Sequence, residues 1–119
     1  MSIWMIGTGN ISIKPQADEA LIREYIQFSE SFYPEEYGGE SFSNTWFLDD
    51  NDELLSVAGK FAELSIWYRH IKEFFEVRGY ELEGEMTIIG EDEPGFEAAC
   101  EISILKYQQW KKRLDCYGA

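Results

Sequence analysis

A chain of 119 residues, 45% hydrophobic and 16% aromatic, is one domain long and can close a core of Phe, Tyr and Trp without disulfide help. Its formal net charge of −13 argues against nucleic-acid binding, which runs on Lys and Arg contacts to phosphate. No stretch approaches the roughly 18 consecutive apolar residues of a membrane span, and the start MSIWMIGTGN lacks the basic lead and long apolar centre of a signal peptide, so a cytoplasmic, bacterial-type protein is expected.

Taken in order, Ile3-Trp4-Met5-Ile6 and Ile11-Ser12-Ile13 flank Gly7-Thr8-Gly9-Asn10. This is either a short hairpin or one strand broken by a glycine bulge. The glycines do not make a phosphate loop, since GTGNIS has no third glycine and no Lys-Ser/Thr. Residues 15–18 open a first helix, with Leu21, Tyr25, Phe28 and Phe32 on one apolar stripe and Asp18 and Glu19 in the first turn. Pro34 stops it, and Glu35 to Ser43 reads as a polar, glycine-bearing loop.

Two short runs of strand formers follow, around Trp46-Phe47-Leu48 and Leu54-Leu55-Ser56-Val57, joined by Asp49-Asp50-Asn51-Asp52. Asn and Asp suit a turn because their side chains bond their own backbone and tolerate left-handed φ. Strands over about 44–49 and 53–61 are therefore expected to pair antiparallel. The period then changes. Trp67, Ile71 and Phe75 recur at helical spacing over 65–78, with Ser65 as N-cap and Gly79 as a left-handed C-cap. From Tyr80 to Ile88 the chain alternates: Tyr80, Leu82, Met86 and Ile88 face one way, and Glu81, Glu83 and Glu85 the other. Phe96 to Leu105 reads as a last strand, with Ala98, Cys100, Ile102 and Ile104 on one side, and Tyr107, Trp110 and Leu114 as a short tail helix. The whole is an α+β domain over 1–119, a ferredoxin-like split β-α-β-β-α-β with an additional C-terminal strand. Two helices cover one face of an antiparallel sheet.

Catalytic chemistry finds little support. His70 is the only histidine, and no motif orients it toward Cys100 or supplies an oxyanion hole. Cys100 and Cys116 form no CxxC pair and are expected as reduced thiols. Asp49, Asn51 and Glu53 have the alternate spacing of a calcium loop, but Leu54 stands where glycine is needed and Lys60 where a glutamate is needed. No metal and no cofactor is implied. An RNA-binding sheet is disfavoured too, because the basic surround and the Lys/Arg-Gly-aromatic motif are missing.

The charge is unevenly placed. Residues 18–101 hold 22 of the 23 acidic residues, whereas the last 18 residues hold Lys106, Lys111, Lys112 and Arg113 against Asp115. Glu81, Glu83 and Glu85 then form a solvated face, a set of catalytic carboxylates, or a ridge offered to Lys and Arg of a basic protein partner, with Asp49, Asp50, Asp52 and Trp46 as further partner-binding residues. In size, acidity and lack of a catalytic motif, the chain resembles bacterial immunity or inhibitor proteins that neutralise a basic toxin or nuclease. That resemblance is one of general character and implies a non-enzymatic binding protein. The alternatives are a homodimeric accessory domain, paired across an uncovered sheet face or an edge strand, and a small-molecule enzyme with an unrecognised pocket.

Overall fold

The computed structural model describes residues 4–9, 11–31 and 44–117. In order these form β1 (Trp4–Gly9), β2 (Ile11–Lys14), α1 (Glu19–Ser31), β3 (Trp46–Leu48), β4 (Glu53–Ser56), β5 (Gly59–Lys60), α2 (Phe61–Glu76), β6 (Glu81–Glu83), β7 (Met86–Gly90) and α3 (Phe96–Tyr117). The fold is α+β, with two antiparallel sheets of order β5-β1-β7 and β3-β4-β2-β6. Phe32, Pro34 and the loop read over 35–43 lie outside the described residues.

The single sheet expected from the sequence is thus divided. β1 ends at Gly9 and β2 begins at Ile11, residues 57–58 separate β4 from β5, and residues 84–85 separate β6 from β7. β1 and β2 do not pair with each other, so the glycine segment interrupts a strand rather than turning a hairpin. Gly9 stands at this break with φ 141°, and a Cβ there would sit 2.0 Å from the Glu85 carbonyl oxygen. Only glycine lets the two backbones approach that closely.

One face of these sheets carries the main core. α1 begins at an Asp18 cap, whose Oδ1 accepts from the Leu21 amide at 2.8 Å. Its buried Tyr25 ring stacks on Phe75 of α2 with centroids 5.6 Å apart, and its hydroxyl donates to the Trp46 carbonyl at 2.9 Å. Trp67, Ile71 and Phe75 of α2 are all buried, as the helical period requires. α2 starts at Phe61, a turn earlier than a Ser65 cap would allow, because Leu64 is already on the buried stripe. It ends as expected. Gly79 takes φ 85°, and the Tyr80 and Gly79 amides donate to the Phe75 and Glu76 carbonyls in a Schellman motif.

Residues 96–105, expected as strand, are instead the first half of the 22-residue α3. The alternation of Ala98, Cys100, Ile102 and Ile104 did not mark a buried face, for Ile102 and Ile104 are exposed. The side that packs is Ala99, Ser103, Tyr107, Trp110 and Leu114, which recur at 3.6-residue spacing. No glycine or proline interrupts 96–117, so the helix runs without a break.

The first half of α3 lies on the sheet face opposite α1 and α2, while Trp110 in its second half reaches Tyr25 of the main core, with ring centroids 6.3 Å apart. Adjacent strand residues point to opposite faces, and β3 shows the consequence. Trp46 packs on Tyr68 of α2 with centroids 5.4 Å apart, while its neighbour Phe47 packs on Tyr107 of α3, also at 5.4 Å. The second face is therefore partly covered, not open.

Candidate functional site

The acidic row lies on that second face. Leu82 pairs with the buried Ile13 and is itself half-buried, so Glu81 and Glu83 on either side point the other way and are exposed. Across the sheet, Glu81 stands opposite Lys14, and Glu83 opposite Ser12, which faces Glu53 on its other side. Glu85, between β6 and β7, is exposed too. Gly84 adopts φ 126° beside it, yet the alternation carries through, because Met86 and Ile88 return to the core side. β6 and β7 are edge strands of their sheets. The three glutamates are thus open both across the face and along the edge.

Beside this row lies a groove of about 390 Å³, with Ile6, Leu55 and Ile89 as floor and Ala99 and Ile102 as wall. Its polar lining is already engaged. Thr8 Oγ1 donates to the Thr87 carbonyl at 3.3 Å, and Ser56 Oγ accepts from the Gly7 amide at 3.0 Å. Ser103 Oγ donates to the Ser56 carbonyl, and the Lys106 ammonium sits 3.5 Å from Asp49 Oδ2. The groove offers apolar contact, rimmed by Ile102 at 58% exposure. A strand reading of 96–105 placed Ile102 inside the fold, so no sequence signal pointed to this groove.

The aspartate turn belongs to the fold. Asp49 is 6% exposed; its Oδ1 accepts from the Asn51 and Glu53 amides, both at 2.9 Å. Asp52 takes φ 59° and lies 3.7 Å from the Arg113 guanidinium, which also donates to the Asp49 carbonyl at 3.4 Å. The turn therefore clamps α3 to the β3–β4 hairpin. Asp50 stands exposed at its tip. Trp46 is 3% exposed, and its Nε1 donates to the Leu64 carbonyl at 3.0 Å. Of the partner-binding residues expected from the sequence, Glu81, Glu83, Glu85 and Asp50 face solvent, whereas Asp49, Asp52 and Trp46 are built into the domain.

The other reactive groups do not converge on this face. His70 lines a shallow depression with Phe28, Glu73, Phe74, Val77 and Arg78, where Arg78 lies 3.8 Å over the Phe74 ring and bonds Glu24 at 2.7 Å. Cys100 is half-buried on α3, and burial, then the Glu97 charge, pushes its thiol up and away from the nucleophilic thiolate. Cys116 is exposed on the same helix. At ~1.5 Å rise per residue the two lie roughly 24 Å apart, far beyond disulfide reach. Among the described residues no group of three or more His, Cys, Asp or Glu could hold a metal ion, and no helix is long and apolar enough to cross a membrane. Comparison with protein-family models, with curated proteins and with solved structures gave no match.

Proposed function

We propose that this protein is a non-enzymatic binding module whose acidic sheet face engages a basic protein, in the manner of an immunity or inhibitor protein acting in a bacterial cytoplasm. The observation that carries the proposal is the exposure of Glu81, Glu83 and Glu85, the first two facing one way from the edge strand β6 and the third beside the break that follows it. Glu81 and Glu83, alternate residues of β6, are about 7 Å apart, closer than the ~8 Å Debye length at physiological salt, so their carboxylates repel each other when free. Lys and Arg of a partner relieve that repulsion and are steered toward it. The same charges oppose edge-to-edge pairing of two copies along β6, which weighs against the homodimer alternative at that edge.

The fold itself has a finer reading. Joining β1 to β2, β4 to β5 and β6 to β7 makes four long strands. In chain order these are β1–β2, β3, β4–β5 and β6–β7, and they lie side by side as second, third, first, fourth. We read this as a ferredoxin-like β-α-β-β-α-β sheet sharply bent at its middle, with α3 added on the second face.

The test replaces Glu81, Glu83 and Glu85 together by Gln and follows association with a lysine-rich peptide by stopped flow. A control of equal charge change carries Gln at Glu19, Glu73 and Glu76, on the outer faces of α1 and α2. Association should slow by about tenfold in the first variant alone and weaken as salt rises. Equal rates for the two variants at low salt would reduce the row to a solvated face.

A further inference from the structure

We propose that the groove between α3 and the β1–β7 pair receives one large apolar side chain from a basic protein segment, so that the groove anchors what the acidic row attracts. This rests on the reading of the row as a partner surface, and adds the partner's second recognition element. The groove lies on the same sheet face as the row. Ile6 pairs with Ile89 on its floor, and Thr8 with Thr87 next along. On the edge strand β7, Ile89 and Thr87 are alternate residues on that face, and Glu85 stands exposed one residue before the strand begins. At ~3.4 Å per residue the floor and the Glu85 carboxylate are about 14 Å apart along the chain. A partner's Lys or Arg four or five residues from its apolar anchor spans that distance.

The lining decides the chemistry of the occupant. Thr8, Ser56, Ser103 and Lys106 are each bonded within the domain, so nothing polar is presented to orient a small substrate, which pockets for small molecules ordinarily supply. A side chain delivered by a macromolecule needs no such orientation, because the charges outside the groove fix the approach. Glu97 and Glu101 stand exposed on α3 on either side of the Ala99 wall, and they too favour a cationic segment over an anionic amphiphile. The volume of about 390 Å³ is large enough for a Leu or Phe side chain and near the low end of ligand cavities, roughly 300–1,000 Å³. Ile102 closes one wall while remaining largely exposed, so an occupant would remove its side chain from water.

The experiment uses the full chain and two synthetic lysine-rich peptides that differ only at one central position, Phe or Ser. Affinity is measured at low salt, and the isoleucine methyl resonances are followed by NMR. The Phe peptide should bind about tenfold tighter, in line with burial of one aromatic side chain, and should shift Ile6, Ile89 and Ile102. In Ile102→Gln, an exposed substitution whose folding is checked by circular dichroism, the advantage of the Phe peptide should disappear while the Ser peptide binds as before. Equal affinities in the unaltered protein, or an advantage that survives Ile102→Gln, would overturn the anchor. The failure of the acidic row is a different result. There the Gln triple variant at 81, 83 and 85 leaves the Ser peptide's affinity unchanged.

Discussion

Asp49 is the residue at which sequence and structure assign the most different roles, and removing its carboxylate tests which is right. Asp49→Ala deletes the acceptor of two backbone amides, those of Asn51 and Glu53, in a site only 6% exposed. Hydrogen bonds to a charged group contribute about 1.5–3 kcal/mol each. The exposed Asn51 amide can recover water, which places the pair near the lower end. The Lys106 ion pair adds less than about 1 kcal/mol, because the ammonium is 39% exposed and screened. The expected cost is about 2–4 kcal/mol, read as a fall in the urea midpoint with an unchanged slope. Asp50→Ala, at the exposed tip of the same turn, should stay within about 0.5 kcal/mol of the parent. Asp49→Asn keeps the Oδ1 acceptor and should fall between them. If Asp49→Ala and Asp50→Ala proved equally mild, the clamp would be energetically empty and Asp49 would return to the pool of surface charges.

Two further measurements probe the core around Trp46 and Tyr25. Gly7→Ala would place a Cβ 2.7 Å from Trp46 Cη2 and 3.1 Å from Met86 Sδ; the ring is held by its bond to Leu64, so a loss of about 1–3 kcal/mol is expected from overpacking, and a neutral result in denaturant would mean that the indole can move. Burial pushes the Tyr25 phenol well above its ordinary 10.0, only partly offset by the Asn44 hydrogen bond. The folded state therefore holds its proton where the unfolded chain has lost it. Stability complete below about pH 10 should decline above it by up to ~1.4 kcal/mol per pH unit. Tyr25→Phe should flatten that decline, leaving a residue from Tyr68, whose phenol burial and then Glu76 also raise. An unchanged alkaline slope would place the titration elsewhere.

What could be read from residues alone follows from where local signals dominate. The β3–β4 hairpin and α2 were legible because turn chemistry at Asp49–Asp52 and the period of Trp67, Ile71 and Phe75 agree with the packing. The outward facing of Glu81, Glu83 and Glu85 was legible for the same reason, as strand alternation persists through Gly84. α3 was not. Its outer face carries Ile102, Ile104 and Leu105, all exposed, and these imitate a strand's apolar side when interleaved with Ser103 and Glu101. The division into two sheets was equally hidden, because it depends on three separate chain segments breaking at matching positions. The groove required all of this at once: the β1–β7 register, the position of α3, and an apolar residue left outside the core.

The clamp and the face are linked through α3. Lys106 and Arg113, two of the few basic residues near the C-terminus, turn toward Asp49 and Asp52. They face the buried Asp49 and the half-buried Asp52 rather than the glutamates at the sheet edge. That choice leaves the row on β6 and beside it negative, which a partner surface for Lys and Arg requires. It also fixes the helix that walls the groove, together with the Ser103 bond to Ser56 and the Phe47–Tyr107 contact. Charge pairs of this kind contribute little when exposed, and when one partner is buried its desolvation cost offsets most of the attraction. The clamp therefore acts chiefly on position. It holds Ala99 and Ile102 over Ile6 and Ile89, and the distance between that apolar contact and Glu85 is what a basic segment would have to match.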